Sequence, residues 1–163
     1  LSGNEGVILL NPLMQVTSRM KFLIKGTDKI AHLSIMQAGV EIDGIQIDPT
    51  TGNNYTVGDN MLSKLGDKYN RIYVPAKSFI TTSEGILQGE TGILPTDCRS
   101  TPVIVIMNVL VNDVPTQFTY SIVGKQFLPG YSYNYTVTLD IKDGITVANW
   151  QESSWTADID PDK

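Results

Sequence analysis

The stretch from Tyr131 to Ile141, YSYNYTVTLDI, constrains this chain more than any other. Tyr131, Tyr133, Tyr135, Val137, Leu139 and Ile141 share one parity, and Ser132, Asn134, Thr136, Thr138 and Asp140 share the other. Successive strand side chains point to opposite faces, so the alternation predicts a half-buried β-strand. Its tyrosine row continues into Val137, Leu139 and Ile141, which places most of the row inward, with Tyr131 nearest the rim. A strand of this kind needs neighbours in a sheet and a second layer against its apolar face.

Similar signals recur along the chain. Val16, Met20, Phe22 and Ile24 lie opposite Thr17, Arg19, Lys21 and Lys25, with Leu23 the one misfit and Gly26-Thr27-Asp28 as the turn. The three basic residues read as the solvated face of that strand. Ala31, Leu33 and Ile35 alternate with His32, Ser34 and Met36. Val40 and Ile42 carry on until Gly44 breaks the parity before Ile45 and Ile47, and a glycine at such a break predicts a bulge. Ile72-Tyr73-Val74 is a strand stopped by Pro75. Val103–Val111 is almost continuously apolar, the pattern of a strand buried on both faces. Asn112-Asp113 then turns the chain into a return strand carrying Phe118, Tyr120 and Ile122, with Pro115 at an edge position.

The remaining segments are less regular. Val7-Ile8-Leu9-Leu10 reads as an edge strand closed by Asn11-Pro12, and Asp48–Asn54 is dense turn chemistry. Asn60–Tyr69 is the one candidate helix, and residues 81–101 read as a long loop holding a short strand at Ile86-Leu87. Many short strands with frequent turns and almost no helix predict an all-β sandwich of antiparallel strands, with at most one short helix. At 163 residues, one domain spanning 1–163 is expected.

The chemistry-bearing residues are sparse. A net charge of −5 argues against a nucleic-acid partner, which requires a basic face. The longest apolar run, Val103–Met107, falls far short of the ~18–20 residues of a membrane-spanning helix. Cys98 is the single cysteine and His32 the single histidine, which removes an intrachain disulfide and nearly all histidine-based triads, zinc sites and shuttles. Gly85, Gly89 and Gly92 match no phosphate-cradling spacing. Asp158, Asp160 and Asp162 alternate, but the glycine and closing glutamate of a calcium loop are absent. The acceptor patterns at Asn54 and Asn134 carry no weight, the second lying mid-strand. No acid, base, nucleophile or metal set converges, so no catalytic, cofactor-binding or metal residue is assigned and a non-enzyme is expected.

The order of motifs adds to this. Leu128-Pro129-Gly130-Tyr131, the aromatic strand, the turn at Asp143-Gly144, the short Ile145–Val147 strand and then Trp150-Gln151-Glu152 resemble the C-terminal segment of Bacteroidetes-type fimbrillins. The run Leu13–Phe22 is similar to that family's early strand. The resemblance implies a transthyretin-like or immunoglobulin-like β-sandwich used as a fimbrial or adhesion subunit, with other pilus subunits as partners. Such subunits are exported, attached to the outer membrane, trimmed at the front and polymerised by strand exchange. The absent initiator methionine and leader at Leu1 fit prior removal of a signal peptide. Family members often have two β domains, so the chain could be one domain of a larger subunit. From their terminal position and apolar content, Val7, Ile8, Leu9, Leu10, Ile145, Val147, Trp150 and Trp155 are the expected assembly residues, as donor strand or groove wall. The alternative is a monomeric cell-surface binding module presenting loops 48–60 and 81–101 to a glycan or host protein.

Overall fold

The computed structural model describes residues 17–46 and 69–157. In chain order the strands are β1 (Ser18–Gly26), β2 (Leu33–Gln46), β3 (Tyr69–Val74), β4 (Phe79–Thr81), β5 (Leu87–Ile93), β6 (Thr96–Asp97), β7 (Val103–Val111), β8 (Val114–Ile122), β9 (Gln126–Phe127), β10 (Tyr131–Lys142) and β11 (Ile145–Ala157). They build a five-stranded sheet of order β11-β10-β1-β5-β4 facing a four-stranded sheet of order β3-β2-β7-β8. The all-β sandwich holds. Among the described residues the one helical element is a 3-10 turn at Ala76–Ser78, after Pro75 ends β3.

Strand β1 shows how the pattern sets the layers. Ser18, Met20, Phe22 and Ile24 are sealed from solvent, whereas Arg19, Lys21 and Leu23 lie half-buried on the outer face. Beside it Tyr133, Tyr135, Val137 and Leu139 of β10 point the same way and are equally buried. The opposing sheet contributes Val40, Ile42, Val105, Met107 and Val109 to the same core. Each such apolar side chain contributes about 1.5–3 kcal/mol on burial. The β1–β10 ladder is parallel, with Phe22 opposite Tyr135, while β1 and β5 run antiparallel. Side-chain alternation reports which face a residue takes and is silent on the direction of its neighbour, so this pairing was not foreseen.

One end of the core is plugged by the small β6–β9 sheet. Phe127 is fully buried there, edge-on to Tyr133 at 4.6 Å between ring centroids. The Tyr133 hydroxyl accepts from the Leu128 N–H at 2.7 Å and donates to the Gln126 carbonyl at 3.2 Å. Burial raises its pKa, so it stays a neutral donor.

Several expectations are refined. The bulge at Gly44 is present: the β2–β3 register shifts between Ile42 and Ile45, and Gly44 has φ +88°. A second irregularity between Ile35 and Val40 contains Gly39 at φ +66°. Strand β7 seals one face; on the other Asn108 is buried while Ile104, Ile106 and Leu110 are half-buried, because the outer face of this antiparallel sheet carries no further layer among the described residues. The segment 81–101, read as a long loop with a short strand at Ile86-Leu87, holds the longer β5, which begins at Leu87, and β6. Its glycines hid the rest of β5: Gly89 lies beneath the Phe79 ring, which a Cβ there would meet at 2.5 Å. The expected strand at Val7–Leu10, the turn at Asp48–Asn54 and nearly all of the helix at Asn60–Tyr69 lie outside the described residues; Tyr69 itself opens β3.

At the opposite end, side chains staple the β1–β2 connection. Asn112, at φ +49° in the β7–β8 turn, accepts from the N–H groups of Ala31 and His32 at 2.8 and 3.1 Å and donates to the Lys29 carbonyl at 3.3 Å. Asp140 accepts from the Thr27 hydroxyl and the Ile141 N–H, each at 2.8 Å, with the Lys29 ammonium at 3.5 Å. The Thr27 hydroxyl is the leading cause holding its pKa below the ordinary carboxylate value, with Ile141 and Lys29 assisting against desolvation.

Two outcomes follow. Gly39→Ala places a Cβ 2.0 Å from the Val74 carbonyl oxygen at a positive φ, and should cost about 1–3 kcal/mol in urea denaturation, lowering the midpoint. Because the folded-state pKa of Asp140 is depressed, its stabilisation is present above the unfolded carboxylate pKa and is lost as pH falls through the folded one. In a carboxyl-carbon NMR titration, Thr27→Val should move the Asp140 pKa up towards its ordinary value.

Candidate functional site

The described residues hold no convergent chemical centre, so the candidate site is built from the sheet edges, where backbone groups lack a partner strand. The two lateral sides of the sandwich differ. On one, β11 and β8 are the edges of their sheets. On the other, β4 and β3 are the edges, with part of β5 beyond the end of β4.

On the first side, β11 pairs antiparallel with β10 from Lys142 opposite Ile145 to Tyr131 opposite Ala157, with an irregularity between Ser132 and Asn134. Trp150 faces inward and stacks on Tyr120 of β8, ring centroids 4.7 Å apart and planes 7° from parallel. Tyr120 in turn meets Tyr135 edge-on at 6.2 Å. Below the stack, Lys125 pairs with Glu152. The two rings thus bridge the sheets along this seam, and the ion pair ties the β8–β9 connection to β11.

The expected assembly residues divide accordingly. Ile145 is 67% exposed and Val147 half-buried, both on the outer face, whereas Trp150 occupies the inner face. Trp155 belongs to β11, and its side chain lies outside the described residues, as do Val7, Ile8, Leu9 and Leu10. The structure therefore gathers Ile145, Val147 and Trp150 on one edge strand but on two faces.

The second side is more open. β4 pairs only with Leu87–Gly89, leaving Glu90–Ile93 without a neighbour on that edge among the described residues. A cleft of about 240 Å³ lies between the sheets here, lined by Thr17, Ile45, Asn70, Ile72, Gly92 and Ile93. On the outer face of β3, Arg71 bonds Glu41 at 2.8 Å and Asp43 at 2.7 Å. Exposed Tyr69 and Tyr73 flank it. Neither this network nor the Tyr120–Trp150 stack was anticipated. The alternation that put Tyr120 inward was visible; its cross-sheet partner depended on a long-range arrangement.

The other singled-out residues are placed as follows. His32 is exposed and immediately precedes β2. Cys98 is 1% exposed, in the core rather than in an open loop, and burial pushes its thiol up to about 11. At neutral pH it is a protonated apolar filler, not a thiolate. Gly89 and Gly92 belong to β5, and Asn134 sits in the middle of β10. No group of three or more His, Cys, Asp or Glu that could hold a metal occurs among the described residues.

Comparison with known proteins gives this geometry a context. A family model described as fimbrillin-like matches residues 2–159. No curated protein matches. The crystal structure of a candidate cell adhesion protein from Bacteroides fragilis aligns with a TM-score of 0.73 and 34% identity, covering 90% of this chain and 48% of that one. A candidate cell adhesion protein from Bacteroides ovatus aligns at 0.49 with 17% identity, over 88% of this chain and 45% of that one. A fimbrial protein from Bacteroides vulgatus aligns at 0.43 with 9% identity, over 86% and 55%. The last two are too distant to carry an argument. The chain spans about half the length of the structures it matches.

The seam has one testable cost. The Tyr135 hydroxyl is buried without a hydrogen-bond partner, and an unsatisfied buried hydroxyl costs about 1–3 kcal/mol. Tyr135→Phe keeps the ring contacts and should raise the thermal midpoint.

Proposed function

Because the chain belongs to the fimbrillin-like family, we propose that it is a structural, non-enzymatic subunit of a bacterial surface fimbria that supports cell adhesion. The family match over nearly the whole chain carries this reading. The adhesion description of the Bacteroides fragilis structure, at 34% identity, supports it. No helix among the described residues is long and apolar enough to cross a membrane, so outer-membrane attachment is assigned to processing rather than to a spanning helix of this part. The proposed place of action is the cell surface, with the chain acting as a single sandwich domain.

Assembly is proposed to proceed by strand exchange with other pilus subunits. A donor strand completes an open edge, main-chain hydrogen bonds supply affinity, and alternate side chains set the register. Val7–Leu10 are proposed as the groove wall that trimming removes, and Ile145, Val147, Trp150 and Trp155 lie on the strand proposed as the donor. A head-to-tail contact of this kind does not close on itself and so produces filaments.

The test is light scattering with negative-stain microscopy on the chain before and after proteolytic removal of residues 1–13. At a dilution where the untrimmed chain is monomeric, trimming should produce filaments. A trimmed protein that stays folded and monomeric would sink the exchange mechanism.

A further inference from the structure

A different contact is written into the directions of the edge strands. Take the end carrying the β1–β2 connection as the top. β1 runs up into it and β2 runs down from it, and the ladders then fix every other direction. In the larger sheet β10 runs up with β1, so β11 runs down; β5 runs down, so β4 runs up. In the smaller sheet β3 and β7 run up against β2, so β8 runs down. Both edges on the Tyr120–Trp150 side therefore point down, and both on the opposite side point up.

That polarity has a consequence for a second molecule. A copy displaced sideways, without inversion, brings an upward edge against a downward edge in both sheets at once. Each contact is then antiparallel, the more stable form of pairing. Strand twist turns the displacement into a screw step.

The edge side chains agree with it. The large hydrophobics most exposed among the described residues are Tyr69, Tyr73, Ile80, Val114, Val123 and Ile145. Each lies on β3, β4, β8 or β11, or directly follows one, three on each lateral side. Protection by charge is thin on one side: β8 has no charged residue and is guarded only by Pro115 near its start, and Glu152, the only charge in β11, is paired with Lys125. Soluble proteins ordinarily guard such edges with charge.

We propose that copies of this chain dock side by side, the β8 and β11 edges of one meeting the β3 and β4 edges of the next. The contact exchanges no strand and differs from the terminal-strand assembly proposed above. It is heterologous, so it grows instead of closing.

The experiment uses two blocked variants, Thr119→Lys with Asn149→Lys on the downward edges, and Tyr73→Lys with Ile80→Lys on the upward ones. All four positions are exposed. Sedimentation velocity over a rising concentration series should show the unmodified chain growing past a dimer and each variant remaining a monomer. An equimolar mixture of the two variants should form a species that stops at two, since it retains one intact pair of edges. An unmodified chain that stays monomeric overturns the proposal, as does a mixture that stays monomeric. Self-dimers of the Tyr73/Ile80 variant would instead mean a two-fold contact through β8 and β11, and also overturn it. Should a variant fail to fold, hydrogen exchange of the unmodified chain decides: amides of 69–74 and 114–122 should gain protection with concentration, and no gain overturns the proposal. Filaments formed by both variants after removal of residues 1–13 would leave the fimbrial reading standing whatever the sedimentation result, so the two readings fail separately.

Discussion

In the larger sheet, β1 lies between β10 and β5, its Phe22 opposite Tyr135 on one side and Gly89 on the other. Without it the remaining strands of that sheet would separate into two pairs, β11-β10 and β5-β4. Three side chains carry this position into the core, Met20, Phe22 and Ile24, all fully buried. The opposing sheet packs onto a surface that exists only while β1 is in place. A parallel neighbour is available because the chain travels through the whole smaller sheet before returning as β10, and parallel strands need such a long crossover. That ladder is long-range in sequence, the kind of pairing whose loop-closure cost slows folding.

The two sides of the sandwich meet the core in different ways. Along β8 and β11, Tyr120 and Trp150 close the gap with stacked rings, and Tyr135 extends the contact to the middle of the larger sheet. Along β3 and β5, Ile72 and Ile93 leave a cleft instead. The aromatic seam contains an unsatisfied hydroxyl in Tyr135, whereas Tyr133, two residues away on the same face, satisfies both its donor and its acceptor. Equal burial therefore has unequal consequences, decided by whether the β9 backbone lies within reach. The Tyr133 bonds also tie the β6–β9 plug to β10, which keeps Cys98 and Phe127 covered.

The parts that could be read from residue order were those with a local physical cause. Alternation placed Met20, Phe22 and Ile24 inward, and Gly44 announced its bulge, because period and positive φ are local properties. Strand β5 was foreseen only as a short strand at Ile86-Leu87 because Gly89 and Gly92 removed the side chains that alternation needs, and the covering ring of Phe79 comes from a different strand. The candidate site was less legible than the fold. Ile145 and Trp150 were named together for their apolar content, yet β11 turns one outward and the other onto Tyr120. Edge status left one signature in the sequence, Pro115 on β8; for the other edges it depends on which strands fail to find a neighbour.

Edge status is nevertheless where the physical interest concentrates. An edge strand exposes unpaired N–H and C=O groups, and a polar outer face does nothing to hide them. β8 answers this with Pro115 near its start, and the remainder of the strand is threonine, serine, glutamine and β-prone aromatic residues. Such residues favour pairing. On β3, by contrast, Arg71 is tied to Glu41 and Asp43 and so stiffens a short edge instead of repelling a visitor. A guanidinium neutralised by two carboxylates of its own sheet is a weaker deterrent than a free lysine would be. Charge present in this chain is thus turned inward upon itself at β3 and at the Lys125–Glu152 pair, leaving the backbone edges chemically accessible to another strand.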